Sequence, residues 1–136
     1  MRQILTIMLF IFMLTGCAVG LQSGGGWQPA MEGAEFGAYP TDYPNIVKHW
    51  YVQHLKSPDS AKIVEISSPQ QDFIVLDPLK EKAAFGYSVC AHVKARNTDG
   101  RYNAIQKLLI RDGRVVEYQT PTRNEYGEYI DPCRGR

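Results

Sequence analysis

Between Pro44 and Leu55 the apolar positions recur with the period of a helix. At about 100° per residue, Ile46, Trp50, His54, Val47, Tyr51 and Leu55 fall across one half of the helical wheel, while Lys48, His49, Gln53 and Lys56 take the other. This predicts a single amphipathic helix with Thr41 or Asp42 as its N-cap, Pro44 in the first turn and Ser57-Pro58 as its stop. From Ala61 the period falls to two. Short strands are expected over Lys62 to Ile66, closed by Ser67-Ser68-Pro69, and over Phe73 to Leu76, closed by Asp77-Pro78. Ala84 to Arg96 is the strongest strand. Its odd positions, Phe85, Tyr87, Val89, Ala91, Val93 and Ala95, make one apolar face, and Ser88, Cys90, His92, Lys94 and Arg96 make the other face polar. Asn97-Thr98-Asp99-Gly100 returns the chain into Tyr102 to Arg111, and Asp112-Gly113 makes a two-residue hairpin turn. That register sets Ile110 against Val115, Leu109 against Val116 and Arg111 against Arg114. Both faces are then apolar near the turn, so something besides the helix must cover the second one. The expected fold is α+β: one amphipathic helix packed on an antiparallel sheet of about four to five strands.

The first residues carry a different pattern. Arg2 is followed by an apolar run from Ile4 to Leu14 and by the small pair Thr15-Gly16. Such a run falls short of the roughly 20 residues that span a hydrocarbon core, and reads as a secretory leader. Leu14-Thr15-Gly16-Cys17 resembles the lipobox of bacterial lipoproteins. The resemblance implies cleavage before Cys17, a diacylglyceryl group on its sulfur and usually a third acyl chain on its amino group. At about 0.8 kcal/mol per buried methylene, two or more chains make the membrane a standing partner. Ala18, and not Asp, follows the cysteine, which resembles the default pattern for the outer membrane, facing the periplasm. The expected division is a signal peptide over 1–16, a lipidated anchor and flexible tether over 17–40, and a single α+β domain with a tail over 41–136. Ser23-Gly24-Gly25-Gly26, Pro29, Gly33 and Gly37 break any regular period in the tether. Trp27, Met31, Phe36 and Tyr39 are unusual in a spacer, and the burial preference of aromatics favours docking on the domain over dipping into the bilayer.

Charge and cysteine usage narrow the classes. The 136 residues carry 15 basic and 14 acidic side chains, and loss of Arg2 with the leader leaves the two equal. No Lys/Arg run is present, so nucleic acid is not an expected partner. Export implies an oxidising compartment, and with Cys17 acylated the remaining thiols are Cys90 and Cys133, which allow one intramolecular disulfide. It would draw the tail, Thr120 to Arg136, across the polar face of the long strand.

Candidate chemistry is sparse. Cys90 and His92, two apart on one strand, point the same way as a thiolate and its base would, but a disulfide to Cys133 competes for the same sulfur. The chain has no Cys-x-x-Cys, no His-Glu-x-x-His, no Gly-rich phosphate loop and no nucleophile elbow. Its carboxylates are scattered singly, which gives no pair for glycan cleavage. No metal site and no cofactor are expected. His54 reads as a hydrogen-bonded core histidine, with His49 too far around the helix to share an ion with it. Arg111 and Arg114 read as solvated.

Leu55-Lys56-Ser57-Pro58-Asp59-Ser60-Ala61, Phe85-Gly86-Tyr87-Ser88-Val89-Cys90 and Val93-Lys94-Ala95-Arg96-Asn97 with Gly100 and Tyr102 resemble a family of small uncharacterised bacterial lipoproteins. Its pattern runs close to LKDPxSA and then YGYxVCxxVNAKNxxGGY. Ser57, Lys94 and Arg101 stand where that pattern has Asp, Asn and Gly. The resemblance implies a small envelope domain and supplies no reaction. The functional expectation is a non-catalytic envelope lipoprotein that binds or scaffolds another component of the envelope, an envelope protein or a cell-wall component, through a surface of His92, Lys94, Arg96, Asn97 and Tyr102 with Arg111 and Arg114. The alternative is a module binding a small ligand or cell-wall fragment on that face. A thiol-dependent enzyme using Cys90 and His92 is third.

Overall fold

The computed structural model describes residues 26–97 and 100–135, with the backbone alone at 97 and 100–102. The leader and Cys17 lie outside the described residues. One helix, α1 (Tyr43–His54), and a 3-10 turn (Pro58–Ser60) precede β1 (Lys62–Ile66), β2 (Gln70–Asp77), β3 (Lys82–Asn97), β4 (Gly100–Arg111) and β5 (Arg114–Gln119). A small hairpin of β6 (Thr122–Arg123) and β7 (Tyr129–Ile130) follows. The first five strands form one antiparallel sheet, and the fold is α+β, as the periodicity predicts. β3 is its spine. β1 and β2 lie end to end along one edge of β3, opposite Ala91–Lys94 and Lys82–Ser88, β4 takes the other edge, and β5 lies outside β4.

The odd positions of β3 face α1. Val47 and Tyr51 are buried against Val89, Ala91, Val93, Leu108 and Ile110, so part of the predicted helical stripe meets the predicted apolar face. The Tyr51 hydroxyl donates to Gln106 Oε1 at 2.7 Å, so the polar atoms on this side are satisfied. The same face continues under the N-terminal segment. Phe36 is buried edge-on against Phe85 and Tyr87, and Tyr39 meets Tyr87 at 5.3 Å between ring centroids. The packed domain therefore begins before residue 41, and part of the stretch expected as tether belongs to it.

Two expectations are corrected. His54 is exposed: its ring stacks on Trp50 at 4.3 Å, with Nδ1 2.7 Å from the Trp50 carbonyl oxygen. The helix ends there, with Leu55 already extended, and the His54 ring lies back over Trp50 instead of under the sheet. Leu109 pairs with Glu117, not Val116, because Val116 is an extra residue between the Leu109–Glu117 and Ile110–Val115 pairs. The turn itself is as expected, with Asp112 at φ 51 and Gly113 at φ 76, both left-handed as a type I′ hairpin requires.

The second face is closed by the chain itself. Ile74, Ser88 and Leu109 are buried there. A Cβ on Gly86 would lie 2.5 Å from the Ile110 carbonyl oxygen; only glycine lets β3 cross so close to β4, and past it β2 approaches both β4 and β5. The Cys90–Cys133 disulfide, with Cα atoms 5.9 Å apart, ties the tail to the same side.

Candidate functional site

The residues expected as a contact surface fall into two groups. Cys90 is consumed by the disulfide. Half-buried His92 sets Nε2 2.5 Å from Asn103 Oδ1 and lines a recess of about 240 Å³ with Glu65, Ser67, Ile105, Asp131 and the two half-cystines. Lys94 and Arg96 are exposed beyond it, and the Arg96 N–H donates to Ser60 Oγ at 2.9 Å, which pins the 3-10 turn to the end of β3. The side chains of Asn97 and Tyr102 lie outside the described residues. Arg111 and Arg114, paired across the β4–β5 turn, sit at the other end of the sheet. His92 pairs with Ile105, and the six residues from there to Arg111 span about 20 Å at strand rise. Arg111 is also held by Glu35 at 4.0 Å and Asp112 at 3.8 Å.

A polar cluster that the sequence does not reveal lies inside the second face. Lys107 Nζ approaches Asp72 Oδ2 at 2.8 Å, and Ser88 Oγ donates to the same oxygen at 2.7 Å. Burial pushes the Asp72 carboxyl up, but hydrogen bonds from Lys107, Ser88 and the Phe73 N–H outweigh it and hold the group below its ordinary value. Ser88 is fully buried. Its hydroxyl cannot meet a substrate, and the cluster serves to fix β2 over β3 and β4.

A further opening lies elsewhere, between α1 and β5. It encloses about 360 Å³. One wall is a helical stripe of Ile46, His49, Trp50, Gln53 and His54, and the other is the unbroken run 113–118. Trp50 and Tyr118 bring their rings to 5.2 Å between centroids. Around them the rim is polar: the Gln53 side-chain amide nitrogen lies 3.0 Å from His49 Nε2, and Arg114 and Glu117 face the opening from the strand. Sequence reasoning assigned Trp50 and His54 to the core and passed over Tyr118. The available signal was Tyr118 itself, an aromatic near the end of the last long strand.

The arrangement can hold a ligand by apolar contact and side-chain hydrogen bonds. Among the described residues no three His, Cys, Asp or Glu side chains converge as a metal site, and no helix is long and apolar enough to cross a membrane. No protein-family model, curated protein or solved structure matches this chain.

Proposed function

We propose that this chain is a non-catalytic binding domain of the bacterial envelope, anchored by lipid on Cys17 to the periplasmic face of the outer membrane, and that it receives another envelope component in the groove between α1 and β5. The groove carries the reading: Trp50, packed against the edge of the core, and exposed Tyr118 meet at an open surface, and an aromatic pair with a polar rim is the usual make-up of a recognition site. A disulfide in a domain of this size fits the oxidising compartment that the lipobox implies. With Cys90 bonded to Cys133, the thiol-enzyme reading loses its nucleophile. The cell-wall-fragment alternative draws on the same two rings, since aromatic faces also receive sugars.

A photoreactive residue placed at Gln53 in the groove, and in a second variant at Leu79 on the remote β2–β3 turn, tests the proposal in intact envelopes. Both positions are exposed. A discrete adduct from position 53 and none from 79 is the expected result. Equal labelling from both, or none from either, would contradict a groove-based binding role. Peptidoglycan fragments raise the melting temperature only if the alternative is correct.

A further inference from the structure

The strand wall of the groove is built from consecutive residues. Side chains on a strand alternate between faces, so an opening that looked onto one face of β5 would meet every second residue. This one meets all of 113–118. The groove therefore runs along the backbone edge of β5. That edge is also the end of the sheet: β5 pairs with β4 on one side, and among the described residues no strand pairs with it on the other. Opposite the edge stands the helical stripe Ile46, His49, Trp50, Gln53 and His54, whose spacing keeps it on one side of α1. An unpaired edge beside a helix leaves a row of main-chain donors and acceptors open along the groove.

From this juxtaposition we infer that the groove takes an extended peptide segment of a partner protein, which adds to β5 as a further strand. The inference rests on the binding-domain reading above and names its partner class. Main-chain hydrogen bonds to the free edge of β5 supply affinity, and every second side chain of the guest enters the groove against Ile46, Trp50 and Tyr118. The guest is short, because β5 has six residues and its extra residue at Val116 twists the strand and limits the run of regular pairing. Charge sets one further feature. Arg114 lies at the groove mouth opposite Arg111, and has no ion-pair partner among the described residues, whereas Arg111 leans on Glu35 and Asp112. A carboxylate on the guest near Arg114 relieves that like-charge pair. A glycan would use the rings and the rim but leave the amides of β5 unpaired.

The test uses the full chain in detergent micelles. Short peptides are selected against it from a random displayed library and titrated into ¹⁵N-labelled protein. Selected sequences are expected to alternate apolar and polar residues, to carry Asp or Glu, and to shift the amides of 114–119 together with the Trp50 indole signal. Methylating alternate peptide amides removes main-chain donors and should weaken binding about tenfold or more. Arg114→Glu should weaken acidic peptides about threefold to tenfold while leaving uncharged ones nearly unchanged. Equal affinity of methylated and unmethylated peptides would overturn strand addition, as would selection that yields no peptide bound at β5. Concentration-dependent protection of the β5 amides without peptide would give the edge to a second copy of this chain and overturn it as well. If peptidoglycan fragments alone shift the groove, strand addition fails and the binding-domain reading stands. If neither peptides nor fragments shift 46–54 or 113–118, both fail.

Discussion

Gly86 is required by what a side chain there would strike. With the Ile110 carbonyl oxygen 2.5 Å from the position of a Cβ, and Leu109 Cγ at 3.2 Å, Gly86→Ala forces two strands apart and should cost about 1–3 kcal/mol in urea unfolding. An unchanged midpoint would mean that β3 and β4 do not cross so closely. Flanked by Phe85 and Tyr87, this glycine looks in the sequence like any small residue in a strand, since the neighbour that excludes a side chain is 24 positions away. Asp72 was hidden for the same reason. Its partners Ser88 and Lys107 lie on other strands, and only the placing of Lys107 between Ile105 and Leu109 on one face hinted at a buried charge. Because its folded carboxyl sits below the ordinary 3.8, the unfolded chain holds that proton more tightly. Asp72 therefore contributes stability that is full above that value and is lost as pH falls through the folded one. Asp72→Asn, which leaves the Lys107 charge without its carboxylate, should cost about 3 kcal/mol near neutrality, and the gap to wild type should narrow on acidification toward pH 2. Parallel stability curves for the two proteins would contradict this.

The helix and the long strands were legible because each shows a sustained period. Val47 and Tyr51 meet Val89, Ala91 and Val93 as the two patterns require, and Asp112-Gly113 announced its turn. The bulge was not legible, since one extra residue at Val116 changes neither composition nor turn chemistry. Nor was the sharing of one edge of β3 by β1 and β2: two short strands separated by Ser67-Ser68-Pro69 are equally consistent with adjacent positions in a sheet. Ser67 shows how the junction is kept, its N–H donating to the Cys90 carbonyl at 2.9 Å and its Oγ accepting the Cys90 N–H at 2.8 Å. The tail depends on its covalent link. β6 and β7 are two residues each, and their loop is braced internally by Asn124, whose Oδ1 accepts the N–H groups of Tyr126 and Glu128. Cys133→Ser removes a link across a separation of 43 residues, worth up to about 4 kcal/mol in chain entropy. Amide exchange should speed up most at 120–135 and least in β3 and β4. A uniform loss of protection would show that the tail holds the sheet together and not the reverse.

The described residues are organised around a five-stranded sheet that uses each side for a different purpose. α1 and Phe36 cover one face, the curl at Gly86 and the strapped tail cover the other, and the groove between α1 and the edge of β5 stays open. Of the surface expected from the sequence, His92 and the Arg111/Arg114 pair are separated by about half the length of β4, and only Arg114 reaches the groove. Alternation along a strand tells which face a residue takes but not how far apart two residues of that face lie, which is why one surface was expected and two places were found. The three cysteines divide between two tasks: Cys17 is proposed to carry lipid, while Cys90 and Cys133 hold each other and leave no reactive thiol. Intact mass and thiol labelling of protein extracted from native membranes, with and without reductant, test this together. The expected result is a chain beginning at an acylated Cys17, with no label taken up until reduction releases Cys90 and Cys133. A chain that retains its leader without lipid, or a Cys90 that labels readily before reduction, would contradict it and return the Cys90 and His92 pair to consideration as a centre of chemistry.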